Sequence, residues 1–391
     1  MEQQLCKHFG VCGGCEFQNL PYLQQLSNKK KYIQELFKEF SVDYISDVVP
    51  SVDIWYYRNK MEFIIGKENN RVVSGLRQKG KFYKIVDLSE CKISYDEIGK
   101  VLNIVKSWVE ENNLEPYNLL THKGKVRYLA FKHSKTENKI MLNLVVTGTK
   151  YQIENNEKKY FDELVKLYSQ LPNVDSIYVS INNLISDNAT PEEVFHFYGR
   201  KFIVENVNGV NYNIYPHIFF QTNTKCCEVL YKLIIQEIEE GNTLDLYCGS
   251  GGITLQVAKY KPNGKIIGVD NSKSNILIAL ENLKSNNFAE DKIEFVCDNV
   301  ETFVQKLWKS KFISNLSNII VDPPRPGLSK KVKSILSDIP VNKIIYVSCN
   351  PKTLYEDLKI FIKFYKIKKL IPVDMFPHTP HIEVICVLEH K

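Results

Sequence analysis

The sequence predicts an α/β fold for its second half, preceded by a separate α+β unit. From about residue 206 onwards, short apolar runs alternate with helical stretches, which is the pattern of a mostly parallel sheet covered by helices. The first of these runs passes into a glycine-rich turn, and the next three end in acidic residues. Residues 55–86 alternate instead in the manner of an antiparallel meander. A length of 391 residues agrees with two or three domains.

The composition is that of an ordinary globular protein, with 44% hydrophobic and 25% charged residues. No apolar run reaches the roughly 20 residues that a membrane helix needs, and the first residues lack the apolar core of a signal peptide. We therefore expect a cytoplasmic protein without a membrane span. The formal net charge of +6 suits an anionic partner but identifies none by itself.

Three cysteines near the N-terminus form the first strong motif. Cys6, Cys12 and Cys15 are spaced C-x5-C-x2-C with two glycines between the last two, so the backbone can fold back and bring the thiols together. A tetrahedral zinc ion and a [4Fe–4S] cluster both need a fourth ligand, for which Cys91 is the leading candidate. His8 could complete a zinc site instead. The spacing alone leaves zinc and iron–sulfur open.

The first half beyond these cysteines predicts mixed α and β structure. Residues 21–40 repeat apolar side chains at helical spacing, which indicates one long amphipathic helix. In the meander, aromatic and basic residues interleave between positions 56 and 83, which suits a face that binds nucleic acid. Further helices are expected at 98–109 and 161–171, and strands at 126–132, 140–146 and 176–181. Residues 182–200 are expected to form a loop-rich link to the second half.

The strand ends of the second half predict an adenosine-binding crevice. Tyr247 leads into the turn that contains Gly249, where a strand gives way to a helix and the backbone can approach a ligand closely. The next two strands end at Asp270 and Asp298, and an acidic side chain at such a position commonly accepts hydrogen bonds from ribose hydroxyls. No Walker-type phosphate loop is present.

Three further reactive side chains are predicted at the same edge. Asp322 ends the fourth strand and is followed by two prolines, which fix the direction of the chain. Cys349 follows the fifth strand directly, where a thiol would point into the crevice. Glu383 begins a strongly apolar final strand, with His378 and His381 just before it, so we expect a functional carboxylate there.

Five motifs carry a resemblance to a known family. They are Phe-Phe-Gln at 219–221, Leu-Tyr-Cys-Gly-Ser-Gly at 246–251, Asp-Pro-Pro-Arg-Pro-Gly at 322–327, Ser-Cys-Asn-Pro at 348–351 and His-Ile-Glu-Val at 381–384. With these motifs the chain from residue 217 onwards resembles the S-adenosylmethionine-dependent uridine-C5 methyltransferases of tRNA and rRNA. The resemblance implies a Rossmann-like class I methyltransferase domain at 206–391.

The resemblance also implies roles for individual residues. Gln221, Tyr247, Asp270 and Asp322 fall on positions that bind the cofactor, although family members often carry glutamate at the position of Asp270 and a polar residue near Gly252. Cys349 falls on the nucleophile and Glu383 on the base.

The implied chemistry is covalent. A thiolate adds to C6 of a flipped-out uracil, C5 then attacks the methyl group, and a base removes the C5 proton. We expect Arg325 or the amides of the following helix to lower the pKa of Cys349.

The N-terminal cysteines resemble the [4Fe–4S] site of several family members. This favours an iron–sulfur cluster over zinc, in an α+β central domain of residues 1–19 and 50–205 that also binds RNA. Residues 20–49 are then expected to be a helical segment packed on the methyltransferase domain.

The chain begins almost at Cys6, without the N-terminal β-barrel of many relatives, so it is most like the short 23S rRNA enzymes. The leading hypothesis is a monomeric 23S rRNA methyltransferase. The alternatives are methylation of the TΨC loop of tRNA and a non-catalytic RNA-binding iron–sulfur protein.

Overall fold

Two large sheets organise the residues that the computed structural model describes, 5–309 and 315–391. In chain order the first elements are α1 (Tyr22–Leu36), β1 (Val42–Ile45), β2 (Lys60–Glu68), β3 (Arg71–Gln78), β4 (Lys81–Asp87), α2 (Ile98–Glu111), β5 (Val126–Ser134), β6 (Lys139–Val146), α3 (Lys158–Tyr168), β7 (Val174–Ile181) and β8 (Glu193–Gly199). A single π-helical turn, Gln152–Asn156, precedes α3.

The second group of elements alternates between strand and helix, as the sequence predicts. It comprises β9 (Ile203–Val207), β10 (Val210–Ile214), α4 (Thr224–Glu237), β11 (Asn242–Leu246), α5 (Gly252–Tyr260), β12 (Ile266–Asp270), α6 (Lys273–Ser285), β13 (Ile293–Cys297), α7 (Val300–Trp308), β14 (Leu316–Val321), α8 (Lys330–Asp338), β15 (Lys343–Ser348), α9 (Pro351–Phe361), β16 (Tyr365–Val373) and β17 (Glu383–His390).

The N-terminal sheet has the order β4–β3–β2–β5–β6–β7–β8 and is antiparallel except between β6 and β7. One face packs on α2 and α3 through a core that includes Trp108 and Phe161, both almost fully buried. The segment 182–200, expected to be a loop-rich link, also contains the strand β8, which pairs with β7. As an edge strand β8 has no fully buried residue, so its sequence lacks a clear apolar alternation.

The C-terminal sheet has the order β1–β16–β17–β15–β14–β11–β12–β13, and its strand pairs are parallel except those that β17 makes. Every residue of β12 is buried, and so are Ile344–Ser348 of β15, because helices cover both faces. Near-continuous apolar runs are the sequence pattern of such central strands. Two separate cores lie on the two faces of this sheet.

The segment between the cysteines and the meander joins the C-terminal half. Helix α1 packs on α9, where the Phe37 ring contacts the Tyr355 ring edge to face at 6.1 Å between centroids. The segment is not entirely helical, because β1 pairs with β16 and extends the C-terminal sheet by one edge strand. In the described ranges, we find no helix with the length and apolar character that crossing a membrane requires.

Candidate active site

Cys349 is held between β15 and the first turn of α9. Asn350 caps this helix, accepting a hydrogen bond from the Lys352 amide at 3.2 Å, as asparagine at an N-cap commonly does. The Asn350 side chain also donates to the backbone oxygen of Arg325 at 3.3 Å, and the Thr353 hydroxyl donates to the same oxygen at 3.2 Å. The thiol-bearing turn is therefore attached to the loop that follows β14.

Glu383 lies beside Cys349 because of strand register. Strands β15 and β17 are antiparallel and pair Ser348 with Val384. Cys349, which follows Ser348, is therefore a neighbour of Glu383, which precedes Val384. On its other side Glu383 pairs with Val373 of β16. Glu383 is only 4% exposed. The fold thus brings the predicted nucleophile and the predicted base together.

Burial dominates the protonation of this pair. Burial and, to a smaller extent, the Asp322 carboxylate raise the pKa of Glu383 to about 8, although the Arg325 guanidinium lowers it. Burial likewise raises the pKa of Asp322 to about 7. A carboxyl group in such surroundings is a protonated acid for part of the neutral pH range and a strong base once ionised.

The expectation of a lowered pKa for Cys349 is wrong in this structure. Burial raises the pKa of its thiol to about 11, and the carboxylates of Glu383 and Asp322 add to the increase. Arg325 does lower this pKa, as expected from the sequence, but the two acidic neighbours and the loss of solvent outweigh it. The thiol is therefore the resting form, and the thiolate is a minor species at neutral pH.

A pocket of about 460 Å³ opens at Cys349. Arg325, Lys352 and His381 line it together with residues from the N-terminus. Its size is within the range of small-molecule pockets. His381 is exposed, whereas His378 is 1% exposed and burial lowers its pKa to about 4. Of the two predicted histidines, the structure therefore places only His381 at the pocket surface.

Sequence analysis missed the residues that form the opposite wall of this pocket. Phe17 and three side chains of α1 (Asn28, Lys29 and Tyr32) line it. The helical period identifies α1, but nothing in its sequence indicates which side faces a distant strand end. Lys29 of this helix is buried.

Four of the six predicted cofactor residues line a second cavity of about 50 Å³. Gln221, Tyr247, Gly249 and Asp322 all line it. Tyr247 and Gly249 adopt left-handed backbone angles, with φ of 65° and 56°, and a Cβ on Gly249 would meet no atom within 4 Å. Open space above a strand-to-helix turn is what an adenosyl group requires.

Asp270 fixes the glycine turn, and Asp298 lies elsewhere. One Asp270 oxygen accepts from the Gly249 amide at 3.1 Å, and the other accepts from the Ser272 amide at 2.8 Å. Asp298 instead forms an ion pair with Lys306 at 2.7 Å and lines neither of the two cavities described above. Neither Asp270 nor Asp298 is therefore among the residues that line the cofactor cavity.

A buried carboxylate that the sequence analysis did not select also lines the cofactor cavity. Asp245 is 1% exposed, and burial raises its pKa to about 7. One of its oxygens accepts from the Thr254 hydroxyl at 2.6 Å, and the other has no hydrogen-bond partner among the described residues. An aspartate between two leucines in an apolar strand was the available signal, since such a charge is rarely buried without a purpose.

The four predicted metal ligands converge on one place. Cys6, Cys12, Cys15 and Cys91 line a cavity of about 20 Å³, and His8 lines it with them. Their side chains do not form a ready coordination site: within residues 5–309 and 315–391, no three His, Cys, Asp or Glu side chains are placed to hold a metal ion. Burial raises the pKa of Cys91 to about 12, and the neighbouring Cys15 sulfur contributes.

Comparison with known proteins assigns the fold and the site to a family. The sequence profile of the tRNA (Uracil-5-)-methyltransferase family matches residues 21–391. The chain belongs to this family. It is an RNA (uracil-5-)-methyltransferase that uses S-adenosylmethionine.

Individual relatives agree with this assignment. An "Uncharacterized RNA methyltransferase" of Clostridium tetani is 35% identical over 395 residues, covering 99% of this chain and 84% of the relative. The tRNA (uracil(54)-C(5))-methyltransferase of Pyrococcus abyssi is 33% identical, with coverage of 98% and 85%. The crystal structure of the Pyrococcus abyssi enzyme in complex with S-adenosyl-L-homocysteine superposes with a TM-score of 0.77, covering 97% of this chain and 86% of that one, at 30% identity.

These comparisons confirm the class I methyltransferase fold, the S-adenosylmethionine cofactor and an RNA substrate. They do not test which RNA is the substrate or whether a cluster is bound. The 23S rRNA substrate and the [4Fe–4S] cluster both stay predictions for this methyltransferase.

Proposed function

We propose that this methyltransferase modifies C5 of a uridine in the TΨC loop of tRNA. The adjacent placement of Glu383 and the pocket-lining Cys349 supports the C5 chemistry. Relatives from two Pyrococcus species that match almost the whole chain are tRNA (uracil(54)-C(5))-methyltransferases, which favours tRNA as the substrate. The 23S rRNA hypothesis is kept as the competing outcome of the experiment below.

Gln221, Tyr247, Gly249 and Asp322 would hold the cofactor, because they line the cavity beside the glycine turn. S-adenosylmethionine supplies an electrophilic methyl group there. Asp270 supports this site indirectly by fixing the Gly249 amide. The free oxygen of Asp245 offers a buried acceptor to a donor group of the ligand.

Cys349 would act first, as its thiolate adds to C6 of the extruded uracil and leaves the electron pair on the C5–C4–O4 enolate. C5 would then take the methyl group, with the sulfur of the departing S-adenosylhomocysteine keeping the electron pair of the broken bond. Ionised Glu383 removes the remaining C5 proton, the C5–C6 double bond re-forms, and the bond between C6 and sulfur breaks to release the thiolate. Arg325 stabilises both anions, since it lowers the pKa of Cys349 and of Glu383.

We propose in addition that Cys6, Cys12, Cys15 and Cys91 hold a [4Fe–4S] cluster. Four cysteine thiolates are the usual ligand set of such a cluster. Each iron of a cubane binds one of these thiolates, so its ligands stand farther apart than the ligands of a single ion. The four thiols line one cavity, which brings this whole ligand set to one place. We also propose that residues 1–19 and 50–205 form the RNA-binding unit around this cluster.

A trapping experiment tests the covalent step and the substrate together. The probes are transcripts of tRNA and of 23S rRNA with 5-fluorouridine in place of uridine, because fluorine at C5 cannot leave as a proton does. With S-adenosylmethionine, the wild-type protein should form a denaturant-resistant adduct with tRNA. Cys349→Ala should form none, whereas Cys297→Ala, which removes an exposed cysteine at the end of β13, should form as much as wild type. An adduct with 23S rRNA alone would overturn the tRNA proposal, and an adduct with Cys349→Ala would overturn the role of Cys349.

A further inference from the structure

The β3–β4 hairpin at the edge of the N-terminal sheet carries an unusual concentration of positive charge. Its residues 71–84 contain five basic side chains and no acidic ones. The basic residues are Arg71, Arg77, Lys79, Lys81 and Lys84. A local excess of this kind attracts polyanions and is not needed for β structure.

The outer strand of this hairpin exposes aromatic rings beside unpaired cations. Phe82 is 64% exposed and Tyr83 is 50% exposed, and their rings contact edge to face at 5.7 Å. Lys81 and Lys84 on the same strand are also exposed. In the part of the chain that the structure describes, neither ammonium group lies within 4.0 Å of a carboxylate. Aromatic faces next to free cations form the surface that binds unpaired nucleotides.

The turn of this hairpin is tied to the cysteine loop, which we define as residues 6–18. The Lys79 amide donates to the Val11 oxygen at 2.8 Å, and the Gly13 amide donates to the Arg77 oxygen at 2.9 Å. Cys12 and Gln78 form a β-bridge between these bonds. The cysteine loop therefore acts as an additional backbone partner for the hairpin turn.

The other end of the cysteine loop reaches the catalytic pocket. The amides of Glu16 and Phe17 both donate to the His378 oxygen, at 2.8 and 3.0 Å, and Phe17 lines the pocket at Cys349. Val11 and Phe17 are six residues apart, so at most about 22 Å of chain separates the hairpin turn from the pocket. A nucleic-acid strand advances about 3.4 Å or more per nucleotide, so a few nucleotides span this distance.

We infer that the β3–β4 hairpin binds unpaired nucleotides that flank the target uridine. Lys81 and Lys84 contact phosphates, and Phe82 and Tyr83 provide stacking faces for bases. The inference rests on the proposed function, since it assumes an RNA loop whose uridine enters the pocket at Cys349. The inference specifies the surface that binds the rest of that RNA loop. It also implies that the cysteine loop fixes the hairpin relative to the pocket.

The test compares RNA affinity of three full-length double variants. The probe is a 17-nucleotide RNA hairpin whose seven-nucleotide loop contains one uridine, at the first position of the TΨC sequence. Binding is measured by fluorescence anisotropy across salt concentrations. Phe82→Ala with Tyr83→Ala should weaken binding about tenfold or more, in the range reported for loss of base stacking. Lys81→Ala with Lys84→Ala should make the negative slope of log K against log salt shallower by about 1.4, since each lost phosphate contact contributes about 0.7 on a single strand.

The matched control removes one aromatic ring and one lysine from the β1–β16 end of the C-terminal sheet. Tyr44 on β1 is 57% exposed and Lys366 on β16 is also exposed, so Tyr44→Ala with Lys366→Ala should leave affinity and salt slope unchanged. All four hairpin side chains point into solvent, so the variants should fold, which circular dichroism checks.

The outcomes separate this inference from the proposed function. Methyl transfer by the wild type to the same hairpin is measured in parallel. If the wild type methylates the RNA but both hairpin variants bind it as tightly as the control, the inference is overturned and the function stands. If the wild type does not methylate any uridine RNA, the proposed function is overturned, while the affinities still decide the hairpin. A concentration-dependent dimer that Phe82→Ala with Tyr83→Ala abolishes, without change in RNA affinity, would show that a second copy covers the surface and would also overturn the inference.

Discussion

The Lys29 ammonium lies 2.6 Å from the Asp374 carboxylate, and both side chains are buried, at 4% and 0% exposure. Lys29 belongs to α1, and Asp374 follows β16 in the segment that leads to Glu383. Lys29 also donates to the Phe376 oxygen at 3.2 Å. This pair joins the wall of the catalytic pocket to the chain that carries the proposed base.

Breaking this pair should destabilise the protein strongly. Lys29→Met leaves a buried carboxylate without its cation, so the free energy of unfolding should fall by about 3–5 kcal/mol, and Lys29→Met with Asp374→Asn should recover part of the loss. Urea denaturation provides the measurement. Lys30→Met is the control, because its partner Asp47 is exposed and the change should stay within about 1 kcal/mol. Equal losses for Lys29→Met and Lys30→Met would contradict the structural role of the pair.

Glu383→Gln should abolish turnover and yet stabilise the fold above neutral pH. The folded protein holds a proton on Glu383 up to its pKa of about 8, whereas the unfolded chain releases it near the ordinary value of 4.5. The free energy of unfolding of the wild type therefore falls as pH rises from about 4.5 to 8 and then stays low.

Glutamine cannot ionise, so the Glu383→Gln protein avoids the loss of stability that ionising the buried carboxyl causes in the wild type. The melting temperature of Glu383→Gln should therefore exceed that of wild type by a few degrees at pH 8.5 and match it near pH 4. Glu389→Gln, at the partly exposed far end of the same strand, should show no such pH-dependent gain. A Glu383→Gln protein that is less stable at pH 8.5 would contradict the raised pKa.

The rate of methylation should rise with pH. Glu383 must be ionised to accept the C5 proton, so the pH–rate profile should have a rising limb near the Glu383 pKa of about 8. The thiolate of Cys349 also becomes more abundant as pH rises towards the Cys349 pKa of about 11. Arg325→Met should move the limb to higher pH, because the guanidinium lowers both pKa values. Single-turnover rates between pH 6 and 9.5 provide the test, and a rate that is flat over this range would exclude both assignments.

Tyr32→Ala should slow formation of the covalent adduct about tenfold or more. Tyr32 lines the pocket at Cys349, where an aromatic face can stack on the extruded base or its neighbour. Lys31→Ala, which changes an exposed side chain one position earlier on α1, is the control. Equal trapping rates for the two variants would show that α1 forms the wall without contributing to recognition.

Anaerobically purified protein should contain about four irons per chain, the number in a cubane cluster. Cys91→Ser removes the most buried of the four thiols and should lower the iron content and the visible absorbance together. Cys297→Ser should keep both, because Cys297 lies far along the chain at the end of β13. One zinc per chain in place of iron would contradict the cluster.

The sequence predicts the reactive groups of this site better than their surroundings. Cys349, Glu383 and Asp322 can be recognised because each stands at the end or the beginning of a clear apolar strand, and parallel strands share an edge. The pKa of Cys349 could not be inferred in the same way. Its neighbour Arg325 is visible in a motif, but the burial and the two carboxylates that outweigh it arise only when the strands are assembled.

The missed residues share a physical reason. Tyr32 and Asn28 are placed by the packing of α1 on a helix more than 300 residues later, and no local pattern encodes that contact. Strand β1 has only four residues, too few for a periodic signal. The cofactor role of Asp298 stays a prediction, and in this structure its carboxylate forms an ion pair with Lys306.

The register that pairs Ser348 with Val384 also has an evolutionary consequence. The proposed nucleophile and the proposed base are neighbours through the hydrogen bonds between two strands, and the 33 residues between them take no part in setting their separation. Homologues can therefore gain or lose residues in that connection while the reacting pair keeps its spacing. A single-residue deletion inside β17 is different, because it would turn the carboxylate to the other face of the sheet.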